Sequence, residues 1–362
     1  MSANDPGHIK NLDKSQIENL KKFWGILRDY MNDSTNKINS IYQDELFLAI
    51  GYDNPDTVLL RWLRARKWDI HAALQQLNDT INWRHQWGVK ELLAKGETDL
   101  FYDEILTGKT YFMGKDRAGR PIDYVYAKEH VKDQFPSEAT EKLTVFSMET
   151  GRKLLELPSE SVTVIFDLNG FGLKNMDYQH LKFLINLLQN YYPESFSLGL
   201  IINAPWIFNG CWYIIKRWLD PVVESKIHFL NNINDLTKFI DPSVLPTRLN
   251  GSQSDFNYIP PTDKDLLILN TIRNDQQGKV IVEQAHREAV KNYLNITYQW
   301  INEEDTNNVL EKRKIATQNL RDAFEQLVPY IHTRTHYHRI GLINEPIFDI
   351  TYQTIINNNK QQ

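Results

Sequence analysis

Apolar residues recur at helical spacing through the N-terminal part of the chain. Ile17, Leu20, Trp24, Leu27 and Met31 share one face, and Ser15 with Glu18 forms a capping-box pattern that predicts where this helix starts. Asn54-Pro55 opens a second helix through Val58, Leu59, Trp62 and Leu63; a third begins at Asp69, carries Ile70, Leu74, Leu77 and Ile81, and stops at Gly88. Near Gly108 the pattern changes to alternation. Thr110–Met113 and Ile122–Ala127 read as strands joined by a turn at Asp116-Arg117-Ala118-Gly119-Arg120-Pro121. A helix is expected from Ser137 to Leu157. Strands at Val162–Leu168, Ser197–Ile202 and Ile227–Leu230 then alternate with helical segments at Asp177–Tyr191, Trp206–Leu219 and Asp235–Ile240. That order predicts an α/β fold with a mostly parallel sheet. Beyond Pro260-Pro261 two long helical patterns follow, one striped by Ile281, Ala285, Ala289, Ile296 and Trp300, the other by Ile315, Ala323, Phe324 and Leu327. The expected division is a helical N-terminal lobe over 1–107, an α/β domain over 108–255, and a helical extension over 256–362 with a frayed Asn/Gln-rich tail.

Composition narrows the function classes. The 362 residues carry 41 Lys+Arg against 46 Asp+Glu, and a net charge of -5 argues against a general nucleic-acid binder. The single cysteine, Cys211, excludes a disulfide framework or a Cys-rich zinc site and fits a reducing compartment. Met1 to Lys14 is polar, with no secretory signal pattern, and no apolar run approaches the ~20 residues of a membrane span. The expectation is a cytoplasmic protein. Aromatic residues are plentiful at 12%, including nine Trp, so where they cluster matters.

Several motifs fail on spacing. Gly108-Lys109-Thr110 lacks the glycine that a phosphate-binding loop needs at position 103, which is Asp103, and Gly170-Phe171-Gly172 meets Asn175 where a dinucleotide loop needs glycine. His332, His336 and His338 are expected at a solvated helix end, not at a metal. No catalytic residue, cofactor or metal is predicted.

Two segments stand out. Arg61, Arg64, Arg66 and Lys67 lie within seven residues of an acidic chain, beside Trp62 and Trp68. They could complement a helix C-terminus, or they could hold a phosphate. The second segment is Trp206–Leu219, where ten of fourteen positions are apolar or aromatic and cover nearly the whole helical circumference. Such a helix is buried, or alternates between burial and a membrane surface, and Asn209-Gly210 would loosen it near its start.

Leu59–Asp69, Asp116–Pro121, Asn190–Glu194, Ile202–Pro205 and Asp220–Ile227 together resemble, in order, the motifs of the CRAL-TRIO lipid-binding family. Asp167–Phe171, Asn175–Tyr178, Ala204–Asn209, Gln299–Ile301 and Pro329–Ile331 are similar to a fungal phosphatidylinositol-transfer subgroup, the Congo-red-resistance subgroup.

The resemblance implies a non-enzymatic protein whose sheet floors an apolar pocket, closed by a gate helix matching Trp206–Leu219. It implies that Arg66, Lys67, Glu194 and Lys226 hold the phosphatidylinositol headgroup, and that Trp206, Phe208, Trp212 and Trp218 contact the membrane during peripheral exchange. Two departures carry information. Val223 stands where the family has a Thr, and Val162 and Val164 replace a Ser and a Thr that contact phosphatidylcholine. An apolar wall there predicts no phosphatidylcholine exchange and a more apolar second ligand, such as a sterol or isoprenoid. A monomer is expected, associating transiently with internal membranes. The alternative is a lipid-gated interaction module that presents phosphatidylinositol to a lipid kinase or another partner.

Overall fold

The computed structural model describes residues 6–32, 39–155, 159–302 and 307–344. Helices α1 (Lys14–Asn32), α2 (Asn39–Ile50), α3 (Pro55–Ala65), α4 (Ile70–Trp87) and α5 (Val89–Lys95) come first. Next are α6 (Tyr102–Leu106), strands β1 (Thr110–Lys115) and β2 (Pro121–Tyr126), and α7 (Ser137–Lys153). Strand β3 (Val162–Asp167) leads to α8 (Tyr178–Asn186), which runs on as a π-helical turn over Leu187–Tyr191 into β4 (Phe196–Ile202). Helices α9 (Phe208–Ile215) and α10 (Pro221–Ser225) precede β5 (Ile227–Phe229), and α11 (Asp263–Asn274), α12 (Gln276–Asn302) and α13 (Asn307–Ile331) follow. The chain forms two compact units, Gly96–Pro260 with Arg339–Ile343, and Asn4–Lys95 with Pro261–His338.

In the first unit the strands lie in the order β1-β2-β3-β4-β5, with β1 antiparallel to β2 and every other pair parallel. The α/β, mostly parallel reading therefore holds. Register assigns the two faces of the sheet. Ile122, Tyr124 and Tyr126 pack with Ile165, Leu200 and Ile202 against Leu236, Ile240, Leu245 and Leu249, while the alternate residues Asp123, Val125, Val162 and Val164 line a cavity. The turn motif at Asp116 has a structural cause. Its carboxylate accepts from the backbone N–H groups of Ala118 and Arg120, from Arg120 Nε at 2.7 Å and from Thr163 Oγ1 at 2.7 Å, so it pins the β1–β2 turn to β3.

The second unit joins helices from both ends of the chain around Trp24, Phe47, Leu59, Tyr293, Trp300 and Leu320. Its buried polar centre is Arg313. The guanidinium binds both carboxylate oxygens of Asp56, donates to Tyr293 Oη at 2.8 Å and to Thr297 Oγ1 at 3.2 Å, and lies 4.2 Å from the centre of the Trp300 ring. Trp24 Nε1 donates to the same carboxylate at 2.7 Å.

Several local expectations are corrected. The reciprocal cap of α1 is formed by Asp13 and Gln16, not Ser15 and Glu18: Gln16 N–H donates to Asp13 Oδ1 at 2.8 Å, and Asp13 N–H to Gln16 Oε1 at 3.0 Å. Two patterns of the same form overlap, and the upstream pair starts the helix. The inward face of α12 is His286, Val290, Tyr293, Leu294, Thr297 and Trp300, leaving Ile281 67% exposed and Ala285 exposed. On α13, Ile315 is likewise exposed, because the helix turns Arg313, Ala316 and Leu320 inward. The segment expected as a helix near Asp235–Ile240 is a 3-10 helix over Ile233–Lys238, and α11 went unpredicted. His336 and His338 are buried, not solvated, and His338 Nδ1 accepts from Thr335 N–H at 2.9 Å. The frayed tail expected at Asn357 to Gln362, and Leu157 at the expected end of α7, lie outside the described residues.

Replacing Asp56 by Ala strands the buried Arg313 charge and should cost about 3–5 kcal/mol in equilibrium urea unfolding. Asp56→Leu combined with Arg313→Met should recover most of that loss, since no unpaired charge remains.

Candidate functional site

The cavity lies wholly within the sheet-bearing unit and measures about 270 Å3. Its floor is Asp123 and Val125 of β2 with Val162, Val164 and Phe166 of β3. Leu143, Ser147 and Met148 of α7, Leu181 and Leu184 of α8, and Phe208, Trp212 and Ile215 of α9 supply the walls. Helix α7 approaches β1 closely at Gly151, where a Cβ would stand 2.9 Å from the Phe112 ring. A larger residue there would push the wall away from the floor.

One end of the cavity is polar. Lys109 Nζ pairs with the Glu104 carboxylate and sits 3.3 Å from His130 Nδ1, while His130 Nε2 is 3.6 Å from Asp177 Oδ2. The His180 ring stacks on His130 at 5.4 Å, and burial, reinforced by His130 and Lys109, pushes His180 down to about 4. Burial and the Lys109 charge also lower His130. Both imidazoles are therefore neutral at pH 7, and the charges of Lys109 and Glu104 offset each other.

At the opposite edge, where β3, β4 and β5 begin, stand Glu194 and Lys226. Glu194 adopts a left-handed backbone (φ 58°), an uncommon state for a residue with a side chain. The turn is held by Tyr192, whose hydroxyl donates to Glu149 Oε1 at 2.7 Å, and by Ser195 Oγ donating to Tyr192 O at 2.6 Å. Lys226 Nζ donates to Phe196 O at 3.0 Å, fixing its side chain along the strand ends. Val223 lines the cavity.

Arg66 and Lys67 belong to the helical unit and are exposed. Arg66 caps α3, and Lys67 and Trp68 are both left-handed (φ 52° and 68°), held by Lys67 N–H to Arg64 O at 3.0 Å and Trp68 N–H to Leu63 O at 2.7 Å. Of the four cations in the cluster, Arg61 is buried, as is the neighbouring Trp62, and Arg64 is half-buried with its guanidinium donating to Gly7 O at 3.0 Å.

Helix α9 is one-sided, not buried all round. Phe208, Cys211 and Ile215 face inward, with Phe208 6% exposed, while Tyr213 and Ile214 are exposed and Trp206, ahead of the helix, is 84% exposed. Trp212 and Trp218 are half-buried; the Trp212 ring meets Phe229 edge-on, and Trp218 meets Tyr178. A Cβ at Gly210 would meet nothing within 4 Å, so packing does not require a glycine there.

The sequence matches the CRAL/TRIO domain over residues 106–251 and the CRAL/TRIO N-terminal domain over residues 7–79. A CRAL-TRIO domain-containing protein of Schizosaccharomyces pombe is 37% identical over 303 residues, 82% of this chain and 67% of that protein. Phosphatidylinositol transfer protein CSR1 of Eremothecium gossypii is 32% identical over 338 residues, 89% of this chain and 74% of that one. The crystal structure of Sfh5 shares the fold, with a TM-score of 0.55 at 20% identity over 72% of this chain and 98% of that chain.

Asp123, His130 and His180 were not singled out in the sequence, and Lys109 entered only through the dismissed phosphate-loop pattern. Alternation along β2 assigns Asp123 to the face opposite Ile122 and Tyr124, ordinarily the wet face of a half-buried strand. Here that face is roofed by helices. Burial accordingly pushes the Asp123 carboxyl up to about 7, against a weaker opposing effect from the Thr110 hydrogen bond at 2.9 Å. A carboxyl raised on folding stabilises the native state at low pH and loses that contribution as pH rises through the folded value. Wild-type stability relative to Asp123→Asn should therefore fall between about pH 4 and 7 and level off above. Urea unfolding of both proteins across that range checks this, and a constant difference would contradict it.

Proposed function

This chain belongs to the CRAL/TRIO family, and we propose from that premise that it is a non-enzymatic lipid-binding and transfer protein that exchanges phosphatidylinositol at membrane surfaces. The observation carrying the proposal is the apolar cavity between the β3 floor and helices α7, α8 and α9. Exposing acyl chains to water costs roughly 0.8 kcal/mol per CH₂, so a carrier has to replace the bilayer with an enclosed apolar surface. Glu194 and Lys226 are offered as headgroup ligands: the carboxylate accepts from inositol hydroxyls and the ammonium neutralises the phosphodiester. Arg66 and Lys67, on the helical unit, are headgroup candidates by resemblance alone. The left-handed backbone at both Glu194 and Lys67 supports a ligand role, because such conformations gather at binding sites.

Helix α9 is the proposed gate. Its inward side chains Phe208 and Trp212 close the cavity, and Trp206 is the outward anchor for a membrane surface, joined by the exposed Tyr213 and Ile214. The membrane contact expected of Phe208, Trp212 and Trp218 is thus reserved for the opened gate. Val162 and Val164 offer no donor to a phosphocholine, which supports exclusion of phosphatidylcholine and room for an apolar second ligand. No helix among the described residues is long and apolar enough to cross a membrane, in keeping with peripheral exchange.

Transfer of labelled lipids between vesicles tests each part. Lys226→Ala should slow phosphatidylinositol transfer about tenfold or more, the effect of one lost charged hydrogen bond, and Arg66→Ala with Lys67→Ala tests the other cations separately. Trp206→Asp with Tyr213→Asp should weaken vesicle docking while the protein stays folded. Phosphatidylcholine moving as fast as phosphatidylinositol would refute the selectivity.

A further inference from the structure

The cavity floor holds one acidic side chain, and we propose that Asp123, positioned by Thr110, accepts the hydroxyl of a single-headed apolar alcohol of sterol or isoprenoid type. This rests on the cavity being a lipid site and specifies what its second ligand must carry.

Asp123 lies opposite Phe112 on β1 and Val164 on β3 in the ladder, and its side chain enters the cavity. Thr110 Oγ1 donates to Oδ1, and Oδ2 has no protein partner among the described residues. The cavity neighbours Phe112, Val125, Val162 and Val164 bring no donor. Asp123 is half-buried and faces the cavity, so an apolar ligand filling that space displaces water from Oδ2, and one ligand O–H offsets the resulting desolvation cost.

Other headgroups fit less well. A phosphate is repelled by the carboxylate. An ammonium brings three donors to a wall with one carboxylate to receive them. A pure hydrocarbon fills the space but leaves Oδ2 unbonded. A lone hydroxyl at the end of an apolar body matches one acceptor on an apolar floor. Val162 and Val164 then contribute more than the absence of polar groups, because they leave Asp123 as the floor's recognition point.

The probes are geranylgeraniol and its methyl ether, which differ by a single donor, titrated into the full chain at about pH 8.5, where the carboxyl is ionised. Trp fluorescence reads both affinities. The wild type should prefer the alcohol by about tenfold. Asp123→Val should abolish the preference, and Asp123→Asn, which keeps an acceptor oxygen, should retain most of it. Equal wild-type affinity for the two probes overturns the proposal without using a variant, as does a preference that survives in Asp123→Val. Phosphatidylinositol transfer, measured in parallel, separates the two readings. Transfer without alcohol preference sinks this inference alone, whereas no transfer and no uptake of either probe sinks the lipid-site reading with it.

Discussion

A sheet can bury both of its faces, and this one packs only the first. Tyr124, Ile165, Leu200 and their neighbours close against the 3-10 segments that follow β5, and the second face is roofed by helices without being filled. Everything the cavity does depends on that asymmetry. An interior left open forgoes dispersion contacts and invites collapse, so its walls have to be held at their edges. The Asp116 knot at the β1–β2 turn ties β1, β2 and β3 together outside the cavity, and Tyr192 with Glu149 anchors the turn into β4 at the far end.

The helical unit solves a different problem. Its helices come from chain segments separated by the whole sheet unit, and Arg313 with Asp56 joins them through a buried, fully bonded pair. Such a pair adds little net stability over apolar residues of similar shape, yet it penalises misregistered packing because a stranded charge is costly. The C-terminal helices are therefore part of a folded core. That limits how far they can act as a free platform for a partner, though Leu267, Val280 and Ile281 remain outward.

Much of this was legible in the residues. Asn54, Asp69 and Gly88 cap their helices as their chemistry dictates, and the mostly parallel sheet follows from the alternation of elements. The errors share a cause. On α12 the inward face is set by His286, Tyr293 and Thr297, polar groups that a count of apolar positions passes over, and it moves the stripe away from Ile281. On β2, period-two alternation cannot distinguish water from a cavity, so spacing alone does not mark Asp123. Helix α9 presented the converse case: apolar on every side in sequence, it has one face toward the cavity and one outside. Long-range packing decides all three, and local spacing does not contain it.

Cys211, the chain's one thiol, has an inward place on α9 beside Phe208 and Ile215. While the helix is seated, sulfur is shielded from reagents and oxidants. A movement that lifted α9 would uncover it, so the rate of thiol alkylation would report any such opening.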